Sequence, residues 1–177
     1  MIEVKHLTKK YGKHLALDDL SFTVEKGQIY GFLGPNGAGK STTMNIMTGY
    51  ISATDGDVLI DGCSILEEPE KAKKCIGYLP EIPPLYLDMT VMEYLNFVAE
   101  LKKIPKDRRL TEVRKAKNLV KLSDVSDRLI RNLSKGYRQR TGLAAAVLGF
   151  PDIIILDEPT VGLDPKQIIG KGSYGHS

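Results

Sequence analysis

The chain has 177 residues, 42% of them apolar, which is the size of one domain with enough apolar material for a buried core. Its 25 Lys and Arg residues against 22 Asp and Glu residues give a net charge of +3, which is too small to indicate a nucleic-acid partner. The sequence contains no run of roughly 18 to 20 apolar residues that could cross a bilayer, and no apolar leader at its start, so we expect a soluble protein. Cys63 and Cys75 are not at metal-ligand spacing, which favours reduced structural cysteines over a disulfide framework or a zinc site.

The first third of the chain is typical of paired strands followed by a strand, a loop and a helix. Residues 2–5 and 20–24 alternate apolar and polar side chains, as half-buried antiparallel strands do, and residues 25–27 predict a turn. The apolar run at 29–33 predicts a strand that leads through a glycine-rich loop into a helix over 41–47.

The middle of the chain changes from strand patterns to helical periodicity. Turn residues around 58–60 predict a hairpin strand, and residues 76–79 predict another short strand. Between Pro83 and about Asn132, apolar residues recur at helical spacing and predict a helical insert. One apolar stripe contains Val91, Tyr94, Leu95 and Val98, and a second contains Leu119, Val120, Leu122 and Val125.

A basic stretch lies inside this helical region. Its cations alternate with apolar residues at near-helical spacing, which favours a solvated helix face over a binding surface. The cations are Lys102, Lys103, Lys106, Arg108, Arg109, Arg114, Lys115 and Lys117.

The last third of the chain returns to a strand pattern. Residues 143–148 predict the end of a buried helix, and the β-branched run at 153–156 is short enough for a fully buried parallel strand. Together with the earlier elements, this order predicts a three-layer α/β core.

The strongest motif is a phosphate-binding loop between the predicted strand at 29–33 and the helix that follows. It consists of Gly34, Pro35, Asn36, Gly37, Ala38, Gly39, Lys40 and Ser41, which is a full Gly-x-x-x-x-Gly-Lys-Ser match. Glycines let backbone N–H groups converge on phosphate oxygens at the positive end of the helix. Lys40 is expected to neutralise the β- and γ-phosphates, and the Ser41 hydroxyl is expected to bind Mg²⁺.

Two adjacent carboxylates follow the strand at 153–156. Ligands of α/β sheets collect at the carboxyl ends of strands, so we expect both acids to lie beside the phosphate loop. Asp157 can hold Mg²⁺ through water, and Glu158 can orient and polarise the water that attacks the γ-phosphate. A capped core strand is the alternative interpretation, but the phosphate loop favours the functional one.

A third motif, Leu-Ser-Lys-Gly, runs from Leu133 to Gly136, and Ser134 has the position of a helix N-cap. A phosphate loop, a helical insert, this segment and then an acidic strand follow the motif order of ABC-type ATPases, which residues 1 to about 168 resemble. The Gly-Lys-Ser-Thr run that ends at Thr42 and the Gly-Leu-Asp run that ends at Asp164 add to the resemblance.

The resemblance implies roles for two further residues. Tyr11 resembles the aromatic residue that stacks on adenine, with a surface tyrosine as the alternative. Glu81 stands where the family most often has glutamine, at a hinge that senses the γ-phosphate and faces the membrane partner. Its carboxylate could approach Mg²⁺ and the reacting phosphate, or it could be a solvent-exposed loop acid.

The resemblance also implies a dimer. The segment of Ser134 and Gly136 would contact the γ-phosphate of ATP held by a second ATP-binding subunit in a head-to-tail dimer, and Asp164 would link the two sites. Lys135 and Tyr137 depart from the usual Leu-Ser-Gly-Gly-Gln pattern.

The domain organisation expected from the resemblance is one ABC ATPase domain with a P-loop NTPase core and an N-terminal antiparallel β subdomain. Its parts are a β subdomain and P-loop core at 1–82, a helical subdomain at 83–135, a return to the core at 136–168 and a flexible tail at 169–177. The family continues with a further strand and a histidine, so we expect a C-terminally truncated core; His176 lies in the tail and is not expected to replace that histidine.

The expected function is an ATP-hydrolysing subunit with ATP and Mg²⁺ as cofactors. It would serve a membrane-spanning transporter subunit, most similar to those of exporters, and would lie in the cytoplasm at the inner face of the cell membrane. One alternative is a truncated module that binds MgATP with little or no hydrolysis. Another, a protein acting on ribosomes or DNA, is disfavoured because the chain resembles one domain with a short insert.

Overall fold

The computed structural model describes residues 1–28, 30–32 and 39–157. The chain divides into two compact units, Met1–Ile76 and Gly77–Ser177. None of the helices in the described ranges is long and apolar enough to cross a membrane.

The first unit contains a four-stranded antiparallel sheet. In chain order its elements are β1 (Ile2–Tyr11), β2 (His14–Val24), α1 (Lys40–Met47), β3 (Asp55–Ile60), β4 (Cys63–Ser64) and α2 (Pro69–Lys74). The strand order is β2-β1-β3-β4, so β1 pairs with both β2 and β3. This sheet confirms the antiparallel strands predicted from the alternation at 2–5 and 20–24.

A β-bulge in β1 changes which of its residues face the core. Ile2 and Val4 are buried, and after the bulge Leu7 is buried instead of the next even-numbered residue. His6 adopts a φ of 50° at this point, and an added Cβ on Gly56 of β3 would lie 2.3 Å from the His6 carbonyl oxygen. Glycine is therefore required where β3 passes the bulge.

The predicted strand at 29–33 is not observed in its described part, because Tyr30–Phe32 belongs to no strand. The rings of Tyr30 and Phe32 instead pack against Phe22, with centroids 5.0 and 5.2 Å from the Phe22 ring. A strand assignment requires a hydrogen-bonded neighbour, and no described residue pairs with this segment. The predicted strand is therefore not confirmed over Tyr30–Phe32, and residues 29 and 33 lie outside the described ranges.

The second unit is built around helices. Its elements are β5 (Ile76–Leu79, which begins one residue before the unit), α3 (Val91–Leu101), α4 (Lys106–Leu119), α5 (Lys135–Val147) and β6 (Ile153–Leu156), with 3₁₀ turns at Ser123–Val125 and Ile130–Asn132. The apolar faces of the three helices share one core cluster. This arrangement confirms the predicted helical insert.

Helix α3 begins with a capping box. The Thr90 hydroxyl accepts a hydrogen bond from the Glu93 backbone N–H at 3.2 Å, and the Glu93 carboxylate accepts one from the Thr90 N–H at 2.8 Å. Val91, Tyr94 and Leu95 are buried, as the first apolar stripe predicts.

The second predicted stripe is buried except for the half-buried Leu119, but it does not form one helix. Helix α4 ends at Leu119, whereas Val120, Leu122 and Val125 follow it. Lys121 has a φ of 57°, a left-handed conformation that stops the helix. The spacing therefore identified buried residues correctly and the extent of the helix wrongly.

Strand β6 forms a two-stranded sheet with β5. Ile155 is buried, but Ile153, Ile154 and Leu156 are only half-buried, so the expectation of full burial was wrong. Within the described ranges β5 is the one strand that pairs with β6.

The predicted basic face is largely exposed, Lys102 included, but the ammonium group of Lys102 has hydrogen-bond partners within the fold. Its ammonium group donates hydrogen bonds to the carbonyl oxygens of Ala145, Ala146 and Leu148 at 2.8, 3.1 and 2.9 Å. These carbonyls belong to the C-terminal end of α5, where helix carbonyl groups lack intrahelical partners. Lys102 therefore caps the C-terminal end of α5 with its ammonium group, a role that the expectation of a solvated face did not include.

Candidate nucleotide-binding site

The described end of the phosphate loop is the turn at Gly39, which starts α1. Gly39 has φ 80° and ψ 3°, and an added Cβ would lie 2.6 Å from Leu17 Cδ2 and 2.8 Å from the Ala16 carbonyl oxygen. A side chain is thus excluded both by conformation and by space. Five predicted loop residues lie outside the described ranges, namely Gly34, Pro35, Asn36, Gly37 and Ala38.

The first turn of α1 is suited to an anion. It contains no acidic residue, and no side chain caps its N-terminus. Thr43 is buried, and both its hydroxyl and its N–H donate to the Gly39 carbonyl oxygen, at 2.9 and 2.8 Å. Ser41 is exposed, whereas Lys40 and Thr42 are half-buried. Buried Thr43 therefore fixes the helix start and leaves the Ser41 hydroxyl accessible.

Tyr11 lies at the end of β1, where the hairpin turns into β2. Its side chain is 49% exposed, and the Lys9 ammonium group lies 5.1 Å from the ring centroid. Lys9 is held there by a 2.6 Å hydrogen bond to the Ser52 carbonyl oxygen. An accessible aromatic ring beside a cation is compatible with stacking on a base, and this role stays a prediction.

In the second unit, Asp157 directly follows β6. Its backbone N–H donates to the Leu79 carbonyl oxygen at 2.9 Å, so the end of β6 lies beside the end of β5. The fold thereby brings the predicted metal ligand close in space to the chain that leads into Glu81. Glu158 and Asp164 lie outside the described residues.

The side chain of Glu81 is exposed, which is compatible with both of its predicted roles. Its backbone is fixed, because the carbonyl oxygen accepts a 2.6 Å hydrogen bond from the side-chain amide of Gln139. Gln139 was missed in the sequence analysis. The available signal was a polar residue four positions before Leu143, on the face of α5 that is otherwise buried.

The predicted signature segment forms the N-terminus of α5. The Ser134 hydroxyl accepts a hydrogen bond from the Tyr137 N–H at 3.3 Å, which confirms its N-cap position. Ser134 and Gly136 are exposed, and an added Cβ on Gly136 would meet nothing within 4 Å. The Tyr137 hydroxyl donates to an Asp124 carboxylate oxygen at 3.2 Å, so this departure from the family pattern adds an internal contact.

The structure thus divides the predicted site residues between its two units. Tyr11, the Gly39 turn and the start of α1 belong to the first unit, whereas Glu81, Ser134, Gly136 and Asp157 belong to the second. Within the second unit, Gln139 joins the Glu81 segment to the helix of the signature segment.

Comparison with known proteins supports this interpretation. Residues 17–161 match the ABC transporter family. The chain is 44% identical over 171 residues to YhcH of Bacillus subtilis, an uncharacterized ABC transporter ATP-binding protein, with 95% of this chain and 54% of the relative covered. It is 39% identical over 168 residues to the bacitracin transport ATP-binding protein BcrA of Bacillus licheniformis, again with 95% and 54% covered. The chain therefore spans about half the length of these two relatives.

A solved structure gives the same result for the fold. The ATP-binding cassette MJ0796, in a dimeric post-hydrolysis state bound to ADP and Pi, superimposes with a TM-score of 0.82 at 27% identity, covering 97% of this chain and 80% of the other. This confirms the predicted α/β P-loop fold with an N-terminal antiparallel sheet. The chain belongs to the ABC transporter family and has the P-loop ATPase fold of its ATP-binding subunits.

Proposed function

We propose that this chain binds MgATP and couples ATP binding and hydrolysis to transport by a membrane ABC transporter. The observation that carries the proposal is the start of α1, where Gly39 admits no side chain and the first turn offers N–H groups without an acidic residue. A helix terminus of this kind favours an anionic ligand, and Lys40 adds a cation at the same position.

The residues of the chain fit a hard divalent cation. The exposed Ser41 hydroxyl and the half-buried Asp157 carboxylate are oxygen donors, which Mg²⁺ prefers. When bound, Mg²⁺ would neutralise phosphate charge. Lys40 would bind the β- and γ-phosphates, Glu158 would accept a proton from the attacking water, and Glu81 would approach the reacting phosphate from its loop.

The proposed working state is a head-to-tail dimer. Ser134 and Gly136 are exposed at the N-terminus of α5, where a phosphate of ATP on a second subunit could approach the helix dipole. Asp164 would link the two sites. The dimeric state of the MJ0796 cassette supports a dimer, and the head-to-tail arrangement is part of the proposal.

The proposed transport partner is a membrane-spanning subunit, which would hold this chain in the cytoplasm at the inner face of the cell membrane. BcrA is a bacitracin transport protein by name, and this relative favours an exporter of small molecules. The proposed subdomain boundaries are 1–82, 83–135 and 136–168. We propose no nucleic-acid partner.

Nucleotide binding by the purified chain tests the proposal. Lys40→Ala should weaken the binding of a fluorescent ATP analogue by about tenfold or more, because it removes a charge-assisted contact to phosphate. The matched control is Lys26→Ala in the exposed turn after β2, which should bind as the parent does. Equal affinities for Lys40→Ala and Lys26→Ala would contradict the assigned phosphate site.

A further inference from the structure

The side chain of Gln139 makes an unusual contact inside the second unit. It is 3% exposed, and its Nε2 donates a hydrogen bond to the Glu81 carbonyl oxygen at 2.6 Å across 58 residues of sequence. Its Oε1 is also buried and has no hydrogen-bond partner in the part of the chain that the structure describes. Buried polar atoms are normally paired, so an unpaired one requires an explanation other than core packing.

A second contact joins the same helix to the same loop. Gly142 lies three residues after Gln139, on the adjacent turn of α5. An added Cβ on Gly142 would lie 2.6 Å from Pro83 Cβ and 2.8 Å from Leu79 Cδ1. Gln139 and Gly142 therefore hold the 79–83 loop against one face of α5, one by a hydrogen bond and the other by close approach.

The helix that holds this loop is the one that presents the signature segment. Ser134 caps α5 five residues before Gln139, and Gly136 follows in its first turn. An α-helix of 13 residues is stiff over this distance, so a displacement of the loop would be transmitted to the N-terminus of α5.

We propose that Gln139 is a positioning residue that fixes the Glu81 loop to the signature helix, so that the two move as one body. This inference rests on the proposed function, in which Glu81 serves the ATP site of its own subunit and Ser134 serves that of the partner. Binding of ATP at the first site would then change the position of the signature segment at the second site, because Gln139 joins the loop to the signature helix. Among the described residues Oε1 is unpaired, so the polar contribution of this side chain is the Nε2 donor, whereas an apolar side chain would fill the space without burying an acceptor.

The absence of tryptophan from the chain allows a clean test. Ile82 is 83% exposed in the loop, so Ile82→Trp introduces a single fluorescent reporter there. Three proteins that carry Ile82→Trp are compared. The first has no further change, and the second carries Gln139→Met, which keeps the side-chain length and removes the donor. The third is the control and carries Arg114→Met, which introduces a methionine on the exposed face of α4. Should Gln139→Met fail to fold, Gln139→Leu replaces it, because leucine also lacks the donor and places no charge beside the Glu81 carbonyl oxygen.

Two measurements separate positioning from folding. Without nucleotide, the tryptophan anisotropy should fall in Gln139→Met and stay unchanged in Arg114→Met. With ATP, the concentration that half-saturates dimer formation should rise about threefold to tenfold in Gln139→Met, the factor that one neutral hydrogen bond supplies. The affinity of each monomer for ATP should change by less than this factor, because the contact of Gln139 is with the backbone of the loop and not with the Glu81 carboxylate.

The outcomes distinguish this inference from the proposed function. Equal anisotropy in Gln139→Met and Arg114→Met overturns the inference whether or not the chain binds ATP. A fall in anisotropy with an unchanged ATP dependence of dimer formation also overturns it, since the loop would then be held without consequence for the partner site. Absence of ATP binding in the parent overturns the proposed function instead. The anisotropy measured without nucleotide would then still test whether Gln139 holds the loop against α5.

Discussion

Gly39 forms the turn that starts helix α1, and its backbone is in a left-handed conformation. The loop motif requires glycine before Lys40, and the structure gives two physical reasons: a φ of 80° and no space for a Cβ beside Leu17. The sequence allowed this prediction because the requirement is local and belongs to a motif with a fixed spacing.

We expect Gly39→Ala to lower the free energy of unfolding by about 1–3 kcal/mol, because it adds backbone strain and a steric clash at the start of α1. The matched control is Gly62→Ala, since Gly62 has a nearly equal φ of 81° but no atom within 4 Å of an added Cβ. Urea denaturation gives the free energy of unfolding of each variant. The difference between the two variants reports the steric clash, because the backbone strain is similar in both. A loss no greater for Gly39→Ala than for Gly62→Ala would show that Leu17 and Ala16 do not confine this position.

Gln139 and Lys102 show why other residues could not be assigned from sequence. Each acts through a partner that is distant along the chain, 58 residues away for Gln139 and 43 to 46 for Lys102. No local spacing encodes such contacts. Lys102 stands in a basic stretch that is largely exposed, Lys102 included, so its capping role became visible only when the fold brought α5 beside it.

At the scale of elements, residue patterns predicted β1, β2 and β3 of the first sheet and the helices α1, α3, α4 and α5, but not β4, α2 or every boundary. The hydrogen-bonding partners of a segment decide whether it is a strand, and Tyr30–Phe32 has no partner strand among the described residues. The left-handed backbone at Lys121 ends α4 within a stretch whose apolar spacing continues. Backbone conformation and pairing, which residue spacing does not report, account for both differences.

The cap on α5 gives a pH-dependent prediction. Burial lowers the pKa of Lys102 from its ordinary value of 10.5 to about 8. Between these two pH values the unfolded chain binds a proton that the folded chain lacks, so the contribution of Lys102 to the free energy of unfolding rises with pH across this window. At pH 7 the group is an ammonium and can donate all three observed hydrogen bonds.

We expect Lys102→Met to lower the free energy of unfolding at pH 7 by about 1–3 kcal/mol, because three helix carbonyl groups lose their donor. The difference from the parent should widen from pH 8 to pH 10.5, measured by urea denaturation at each pH. Lys106→Met, at an exposed position, controls for the general titration of lysines. If the difference in free energy of unfolding between Lys102→Met and the parent stays constant from pH 8 to pH 10.5, the pKa of Lys102 is not lowered in the folded chain. The hydrogen bonds to the three carbonyl groups would then compensate for the burial of the ammonium group.

At the scale of the whole molecule, the order of motifs along the chain predicted the family, and the match over residues 17–161 confirms it. The mechanism depends on residues that the family resemblance assigns but that the described structure does not reach, above all Glu158. Hydrolysis by this chain, which spans about half the length of YhcH and BcrA, therefore remains the central claim to test.

Phosphate release from ATP by the purified 177-residue chain tests that claim most directly. The comparison is with Glu158→Gln, which removes the proposed proton acceptor and changes the side chain least. General acid–base groups contribute about 10²–10⁴-fold, so we expect magnesium-dependent release by the parent and a loss of at least about a hundredfold in Glu158→Gln. Equal release by the two proteins, or none by a parent that still binds ATP, would contradict the account of this chain as an ATP hydrolase.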